Sequence, residues 1–418
     1  MPETAKRQAP SPAQLDYPPA LCKVARFLME FMMTKPRCLL IANFAPLSSI
    51  WDMGRGMRTA LENAGVSVME YLRSDFPNEG LNRIMVKAIT EFKGPRFVLD
   101  INANENYRVQ NGSLYDAYRL PRMSFITDSP LRHMAKIQAM PEHSILGLVD
   151  GDFPDILADF PCPSRCHIPF PHAGPPPEPA PLSNDQRDIP VLFVGNITSA
   201  PSQDDFLTRH GGSDTGRRKA LSQAMEAARE TYAPLYALCK TALPGKSPQD
   251  WLAATNDLET HLVSTRRIAL LNSLKHHKIV YCGVIDPSLR TALPGTMEDR
   301  GAVTFEDAAD LMGRARVLIN SSPSFRNGAH ERVFYGLSRG ASVVTEPSRF
   351  LTPAQATTLG ITTLPFAADR AATAIDQAMA RTDDDRHTAQ AHYARTHTWT
   401  QRMETVLTCL KEQFWTAP

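Results

Sequence analysis

The segment from Val317 to Thr345 constrains the fold more than any other part of the chain, because it reads as a strand, a loop, a helix and a second strand in succession. Val317–Asn320 is a short apolar run with the length of a buried strand, and Ser321–Gly328 is rich in turn-forming residues. His330–Ser338 has the pattern of a helix, and Ala341–Thr345 is a second run rich in β-branched residues. Two strands joined through a helix in this way should be parallel.

The loop after Asn320 is the predicted ligand site, because parallel sheets bind ligands beyond the carboxyl ends of their strands. The next helix begins there, and its free N–H groups and positive dipole end favour a phosphate. Arg326, His330 and Arg332 cluster at the same place, and Gly328 lets the backbone approach a ligand closely. The alternative is that Arg332 belongs to an ordinary salt-bridge network on the helix.

Strand-like and helical stretches alternate along the rest of the chain, which predicts doubly wound parallel sheets. The other predicted strands are Cys38–Phe44, Ser67–Tyr71, Phe97–Ile101, Met123–Thr127, Ser144–Val149, Val191–Val194, Ile279–Tyr281, Val303–Phe305 and Thr362–Pro365. Between Pro161 and Pro190 the chain holds ten prolines in thirty residues, too many for a regular helix or a central strand. This stretch therefore divides the strands into two groups.

The predicted organisation is two α/β domains joined by a proline-rich linker, since 418 residues are too many for one core. The stretch after Val194 is too long for a single crossover, and its helical periodicity over Arg217–Leu238 and Trp251–Leu274 predicts a helical insertion. The predicted parts are a disordered tail over 1–17, an N-terminal domain over 18–170, a linker over 171–190, a second domain over 191–380 with its insertion over 199–278, and C-terminal helices over 381–418.

The composition is that of an ordinary globular protein. Forty-five basic and 44 acidic residues leave a net charge of +1, whereas a nucleic-acid partner would require a strongly basic domain. No apolar run has the length of a membrane span, and the polar N-terminus lacks the apolar core of a signal peptide. Seven scattered cysteines fit reduced thiols better than a disulfide framework, so we expect a cytoplasmic protein with no integral membrane segment.

Several short motifs in the second half resemble the GT-B glycosyltransferases, most closely the branch related to the spore-maturation protein CgeB. The matching residues are Asn320, Gly328, Arg332, Phe334, Gly340 and Ala341, with Val191–Asn196 upstream and His397–Arg402 downstream. Tyr335 stands where this family often has an acidic residue that binds the ribose hydroxyls of a nucleotide. Glu331, one helical turn earlier, is the candidate substitute.

The resemblance implies a GT-B fold, in which two Rossmann-like, doubly wound parallel-sheet domains face each other across a cleft. It implies that the second domain binds a nucleotide-sugar as the donor substrate, and that the first domain binds a protein or glycan acceptor. It also implies a hexosyl or related transfer without metal or resident cofactor. The implied donor-binding residues are Gly195, Asn196, Ser322, Arg326, Asn327, Gly328, Ala329, His330, Glu331 and Arg332.

A catalytic base is needed if the transfer inverts the anomeric centre, and it should come from the first domain. Asp128, just past a predicted strand end, is the first candidate, and His133 is the second. Asp100 and Glu105 follow as third candidates. Each of these could instead be structural, since Asp128 before Ser-Pro also fits a turn cap.

Two other functions stay open at this point. Tyr335 suggests a catalytically inactive GT-B scaffold that acts as a binding or assembly protein, because a fold does not guarantee an activity. A sugar-nucleotide epimerase is the other, and it would react without any acceptor. Detectable turnover of a nucleotide-sugar would eliminate the inactive scaffold.

Two further clusters carry weaker signals. The stretch from Asp52 to Arg58, with Gly54 and Gly56, follows the first strand and fits a contact at the cleft as well as a plain helix start. Cys162 and Cys166 offer soft ligands for zinc, but their spacing is not that of a standard zinc site. We therefore predict no metal site.

Overall fold

A computed structural model describes residues 35–42, 48–72, 79–109, 112–365 and 370–415 of the chain. The predicted disordered tail over 1–17 lies outside these residues. The described part contains two parallel six-stranded sheets flanked by helices, which is the α/β architecture expected from the sequence.

The first sheet is formed by strands from the first 170 residues, in the order β2-β1-β3-β6-β7-β8 with every pair parallel. The strands of this half are β1 (Arg37–Ala42), β2 (Ser67–Leu72), β3 (Arg96–Ile101), β4 (Arg108–Val109), β5 (Gly112–Ser113), β6 (Arg122–Ile126), β7 (Ser144–Leu148) and β8 (Cys166–Pro169). The central strands β6 and β7 are buried at every residue, as expected for a sheet covered on both faces. Short β4 and β5 form a separate antiparallel pair.

Five helices accompany this sheet among the described residues. They are α1 (Ser49–Asn63), α2 (Glu79–Thr90), α3 (Leu114–Ala117), α4 (Met134–Gln138) and α5 (Phe153–Leu157). The stretch from Asp52 to Arg58 lies inside α1, which begins after the N-cap Ser48. A Cβ atom at Gly56 would lie 2.3 Å from the Trp399 ring, so this glycine serves close helix packing.

The second sheet has the order β11-β10-β9-β12-β13-β14, again with parallel pairs, and its topological switch point lies between β9 and β12. Its strands are β9 (Ile189–Val194), β10 (Ile279–Cys282), β11 (Glu298–Asp299), β12 (Ala315–Asn320), β13 (Ser342–Thr345) and β14 (Ile361–Thr363). The predicted strand over Val303–Phe305 is wrong. The edge strand is Glu298–Asp299, and Thr304 caps a helix that begins at Phe305.

The stretch between β9 and β10 contains four helices with a hydrophobic core of their own. They are α6 (Gln203–Gly211), α7 (Thr215–Glu230), α8 (Leu235–Ala242) and α9 (Pro248–Ser273). The single helix predicted over Arg217–Leu238 is broken before Leu235, because Pro234 lacks an N–H group and starts a new helix as its N-cap residue. The insertion also contacts the first half of the chain: Lys240 lies 2.6 Å from Asp159.

The predicted strand–loop–helix–strand unit is present as β12, α11 (Glu331–Ser338) and β13. Gly340 ends this helix with a φ of 70°, a left-handed conformation that favours glycine. The remaining helices are α10 (Phe305–Arg314), α12 (Pro353–Thr358), α13 (Ala371–Met379), α14 (Asp383–Thr396) and α15 (Trp399–Leu410).

The proline-rich segment lies against the second sheet's helices and is fixed by hydrogen bonds. Tyr393 on α14 donates to the Pro175 carbonyl at 2.6 Å, and Glu178 N–H donates to the Ser338 carbonyl at 2.8 Å. The last helix, α15, packs against α1 of the first sheet, and its residues Met403 and Leu410 belong to that sheet's core. The chain therefore crosses between the two halves twice.

Two kinds of feature are absent from the described residues. None of their helices is both long and apolar enough to cross a membrane. No group of three or more His, Cys, Asp or Glu side chains among them is placed to hold a metal ion.

Candidate functional site

A cavity of about 350 Å³ lies between the two sheets, at the carboxyl ends of their strands. The first half of the chain contributes Ser49, Ile50, Met53, Thr127, Asp128 and His172 to its wall. The second half contributes Val194, Gly195, Asn196, Arg267, Phe305, His330, Glu331 and Arg332. We call this space the interdomain cavity. It lies at the switch point between β9 and β12, where doubly wound sheets bind their ligands.

The turn after β9 brings Gly195 against Arg332. Gly195 has a φ of 155°, and a Cβ atom there would lie only 2.8 Å from Nη1 of Arg332. The same Nη1 donates a hydrogen bond to the Val194 carbonyl. Asn196 continues the turn and accepts a hydrogen bond from Val284 N–H at 2.9 Å. Glycine at position 195 is therefore what allows the guanidinium to lie over the end of β9.

The N-terminus of α11 carries a buried acid–imidazole pair. Nδ1 of His330 lies 2.6 Å from a Glu331 carboxylate oxygen, and Nε2 of His330 lies 2.8 Å from Nη2 of Arg332. His172 approaches the same carboxylate oxygen to 3.8 Å and the Thr127 carbonyl to 3.0 Å. Arg332 N–H and Arg332 Nε also approach Nδ1 of His330, at 3.5 and 3.2 Å, so Arg332 contacts both ring nitrogens.

Burial and charge set the protonation states of this group. Burial, together with the positive charge of Arg332, lowers the pKa of His330 to about 4. Burial also lowers the pKa of His172 below its ordinary value. Burial alone would raise the pKa of Glu331, but His330, His172 and Arg332 lower it well below its ordinary range. At neutral pH both imidazoles are therefore neutral and the carboxylate is ionised.

Two buried arginines bring positive charge to the cavity, which the carboxylates of Asp128 and Glu331 also line. Arg267 on α9 donates from Nη2 to the Ser321 carbonyl at 2.9 Å and from Nη1 to the Asn196 carbonyl. Burial and the neighbouring Arg332 lower the pKa of Arg267 to about 9. In the described part of the chain, neither guanidinium forms an ion pair with a carboxylate. Two cations that repel each other across a cavity favour an anion between them.

Asp128 faces this charge from the first sheet. The loop that carries it is fixed one residue earlier, where Thr127 N–H donates to Asn102 at 2.9 Å. Burial raises the pKa of Asp128, but the neighbouring His133 and Arg132 lower it, and the lowering prevails. The carboxylate is therefore ionised at neutral pH and can accept a proton. His133 lies behind it, with Nε2 3.9 Å from an Asp128 oxygen.

A smaller cavity of about 160 Å³ adjoins the interdomain cavity. Asp128, Arg267 and His330 line both spaces, so the two form one continuous cleft. Ser322, one of the predicted donor-binding residues, lines this smaller space. On the α9 side of this smaller cavity, Glu259 forms an ion pair with Arg132 at 2.8 Å.

Four of the predicted donor-binding residues line neither the interdomain cavity nor the smaller cavity beside it. Arg326 turns to the end of α7 and donates to the Thr231 and Ala228 carbonyls, both at 2.7 Å. Asn327 N–H donates to the Asp150 carboxylate at 2.8 Å. A Cβ atom at Gly328 would lie 2.7 Å from the Val149 carbonyl, and Ala329 belongs to a hydrophobic core. These contacts dock the loop on other elements of the structure.

The other sequence candidates also have structural partners. Asp100 is fully buried and forms an ion pair with buried Arg122 at 2.7 Å. Tyr335 is buried, and its hydroxyl donates to the Asp52 carboxylate on α1. Neither side chain lines the interdomain cavity, whereas Glu331 does.

Two ionisable residues of the cavity wall, Arg267 and His172, are missing from the sequence prediction of this site. Arg267 lies in the helical insertion, next to Arg266 in sequence, and nothing in the sequence distinguishes the two arginines. His172 stands out in the sequence only as a neighbour of the cysteine cluster. His172 follows β8 and therefore lies at the carboxyl edge of the first sheet. A histidine just after a strand end is the sequence signal that could have identified it.

Comparison with known proteins identifies the architecture. No family model and no curated protein sequence matches the chain. Among solved structures, sucrose-phosphate synthase from Thermosynechococcus elongatus matches with a TM-score of 0.51 and 11% identity, over 92% of this chain and 100% of that one.

Two other solved structures match over a similar extent. A glycosyltransferase involved in avilamycin A biosynthesis matches with a TM-score of 0.50 and 12% identity, over 91% of this chain and 98% of that one. An α-glucosyltransferase solved in complex with UDP and a 13-mer DNA matches with a TM-score of 0.52 and 8% identity, over 90% of this chain and 100% of that one. With two parallel Rossmann-like sheets facing a cleft, the chain has the GT-B fold of these glycosyltransferases.

Proposed function

We propose that this chain is a glycosyltransferase that moves a sugar from a nucleotide-sugar donor to a protein or glycan acceptor. The observation that carries the proposal is the pair of buried arginines, Arg267 and Arg332, at the switch point of the second sheet. Their charge, the turn at Gly195 and the N-terminus of α11 meet where a diphosphate would bind.

The diphosphate has a defined role in the proposed reaction. Negative charge grows on the leaving nucleoside diphosphate as the bond to the sugar breaks, so donors fixed at that point stabilise the transition state. Arg332 and Arg267 are the proposed donors, and both are held in place by main-chain carbonyls. Two guanidiniums can neutralise this charge, so we expect transfer without a metal ion.

The acceptor side of the proposed site is provided by the first sheet. Asp128 is the proposed base that removes the proton of the acceptor hydroxyl, since its carboxylate lines both parts of the cleft. Glu331 is the proposed partner of the sugar or ribose hydroxyls, because it faces the cavity where Tyr335 does not. The net charge of +1 favours a protein or glycan over a nucleic-acid acceptor.

Thermal unfolding with and without nucleotide tests the proposal. UDP is the first ligand to try because a structural neighbour was solved with UDP. A ligand that binds only the folded chain raises its melting temperature, so we expect a rise with UDP or another nucleoside diphosphate. The rise should be lost in Arg332→Ala and kept in Arg395→Ala, an exposed arginine on α14.

Two outcomes would overturn this assignment. A full shift in folded Arg332→Ala would remove Arg332 from the donor site. No shift with UDP, GDP, ADP, TDP or CMP, free or sugar-conjugated, would favour the non-catalytic scaffold that Tyr335 suggests. Conversion of a nucleotide-sugar without any acceptor, into an epimer rather than a hydrolysis product, would instead indicate an epimerase.

A further inference from the structure

A second cavity of about 310 Å³ lies on the other side of helix α9 from the interdomain cavity. Part of its wall is apolar, with Leu262 and Ala269 on α9. The rest is strongly polar, with Arg229 on α7, Arg266 on α9, Arg326 and Glu346. Its volume is in the range that holds a small molecule. We call it the rear cavity.

The rear cavity carries more positive than negative charge. Arg266 forms a two-point ion pair with Glu346, with N···O distances of 3.1 and 3.2 Å. Arg229 and Arg326 also line the cavity. The described lining residues of the cavity include no second carboxylate that could balance these two charges. Arg229 is 37% exposed, lies 3.5 Å from a Glu226 oxygen, and has Nη2 3.1 Å from Nε2 of His261.

Arg326 adds a buried positive charge to this wall. Its side chain is only 6% exposed, and both terminal nitrogens donate to carbonyls at the end of α7. Its charge is therefore met by main-chain dipoles and not by a carboxylate among the lining residues of the cavity.

We propose that the rear cavity binds a small organic anion, in which a carboxylate or phosphate group is attached to a compact apolar body. The oxyanion would accept hydrogen bonds from Arg229 and would be attracted by the charge of Arg326, since the planar guanidinium group matches the geometry of both carboxylate and phosphate. The apolar body would lie on Leu262 and Ala269. This inference does not rest on the proposed glycosyl transfer, because the site and its residues are separate from the interdomain cavity.

Calorimetric titration of the full chain with phenyl phosphate tests the proposal, and benzoate distinguishes a carboxylate from a phosphate ligand. The cavity-filling variant Ala269→Tyr places a ring in the rear cavity from an exposed position, so it should not disturb the fold. Arg229→Gln removes one charge. We expect each variant to weaken binding of at least one probe more than tenfold. Ala253→Tyr, at another exposed alanine of α9, is the matched control and should bind normally.

The variant Arg332→Ala distinguishes binding of phenyl phosphate in the rear cavity from binding in the interdomain cavity, because Arg332 lines only the interdomain cavity. We expect the proposed binding to survive in that variant, so its loss there would overturn the assignment. Equal affinity in Ala269→Tyr and the parent chain would overturn it too, as would no saturable binding of either probe up to about 10 mM. Inorganic phosphate that binds as tightly as phenyl phosphate would contradict the apolar part of the proposal.

Discussion

The hydroxyl of Tyr335, on the helix that follows β12, donates a hydrogen bond to the carboxylate of Asp52 on the first helix of the other sheet. Tyr335 is only 2% exposed and packs edge-on against Phe305. The position at which the resemblance to GT-B glycosyltransferases would place a ribose-binding acid therefore joins the two halves of this protein. In the proposed donor site, a contact to the ribose would come from another residue, and Glu331 on the same helix lines the cavity.

Tyr335→Phe should weaken the junction between the two sheets without affecting nucleotide affinity. The variant keeps the ring but removes the donor, so we expect a loss of about 1 kcal/mol in the free energy of unfolding. Urea unfolding measures that loss, and Tyr118→Phe, at a tyrosine that is 48% exposed, is the control. A tenfold loss of UDP affinity in Tyr335→Phe would show that the hydroxyl contacts the nucleotide after all.

Arg267→Gln should discriminate between a nucleoside and its diphosphate. If this guanidinium meets the diphosphate, we expect the affinity for UDP to fall by about 10- to 100-fold, equivalent to roughly 1.4–2.8 kcal/mol. The affinity for uridine should change little, because uridine has no phosphate. Calorimetry with both ligands gives the comparison within one variant, and Arg395→Gln controls for the loss of one charge. Equal losses for UDP and uridine would point to a general distortion of the cavity.

Gly195→Ala should displace Arg332. The added methyl would lie 2.8 Å from Nη1, and the φ of 155° is rarely adopted by other residues, so we expect a destabilisation of about 1–3 kcal/mol. UDP binding should weaken as well. Gly295→Ala is a matched control, since no atom lies within 4 Å of its Cβ position. Unchanged UDP affinity in a folded Gly195→Ala variant would contradict the proposed role of this turn.

The buried imidazole of His330 should make the protein less stable in mild acid. Because its pKa is lowered to about 4, the unfolded chain binds a proton at this site more readily than the folded chain between about pH 6.5 and 4. The contribution of this site to the free energy of unfolding is therefore fully present above about pH 6.5, and it is lost progressively as the pH falls to about 4. The lowered pKa of Glu331 acts in the same direction at still lower pH.

Urea unfolding at several pH values between 7 and 4.5 measures this dependence. As the pH falls, we expect the free energy of unfolding to decrease less in His330→Gln than in the parent chain. His276→Gln, at an exposed histidine, should show the parent slope. Identical slopes in all three proteins would mean that His330 is not held in its neutral form.

Much of the fold can be predicted because its causes are local. The sequence predicts β12, α11 and β13 nearly to the residue, since apolar runs, a loop and a helix-ending glycine follow one another there. The direction of the Arg326 side chain cannot be predicted, because it depends on where α7 ends, 95 residues earlier in the chain. Arg267 escapes prediction for the same reason: only the three-dimensional path of α9 separates it from Arg266.

The packing of α15 has a consequence for how the chain is made. Trp399, Met403 and Leu410 fill the core of the first sheet, although that sheet is otherwise built from the first 170 residues. A protein leaves the ribosome from its N-terminus, and its domains usually fold in that order. Here the first sheet cannot complete its core until α15 has been synthesised, by which time the second sheet is already available. The half of the protein that is translated first therefore cannot complete its core before α15 has been synthesised.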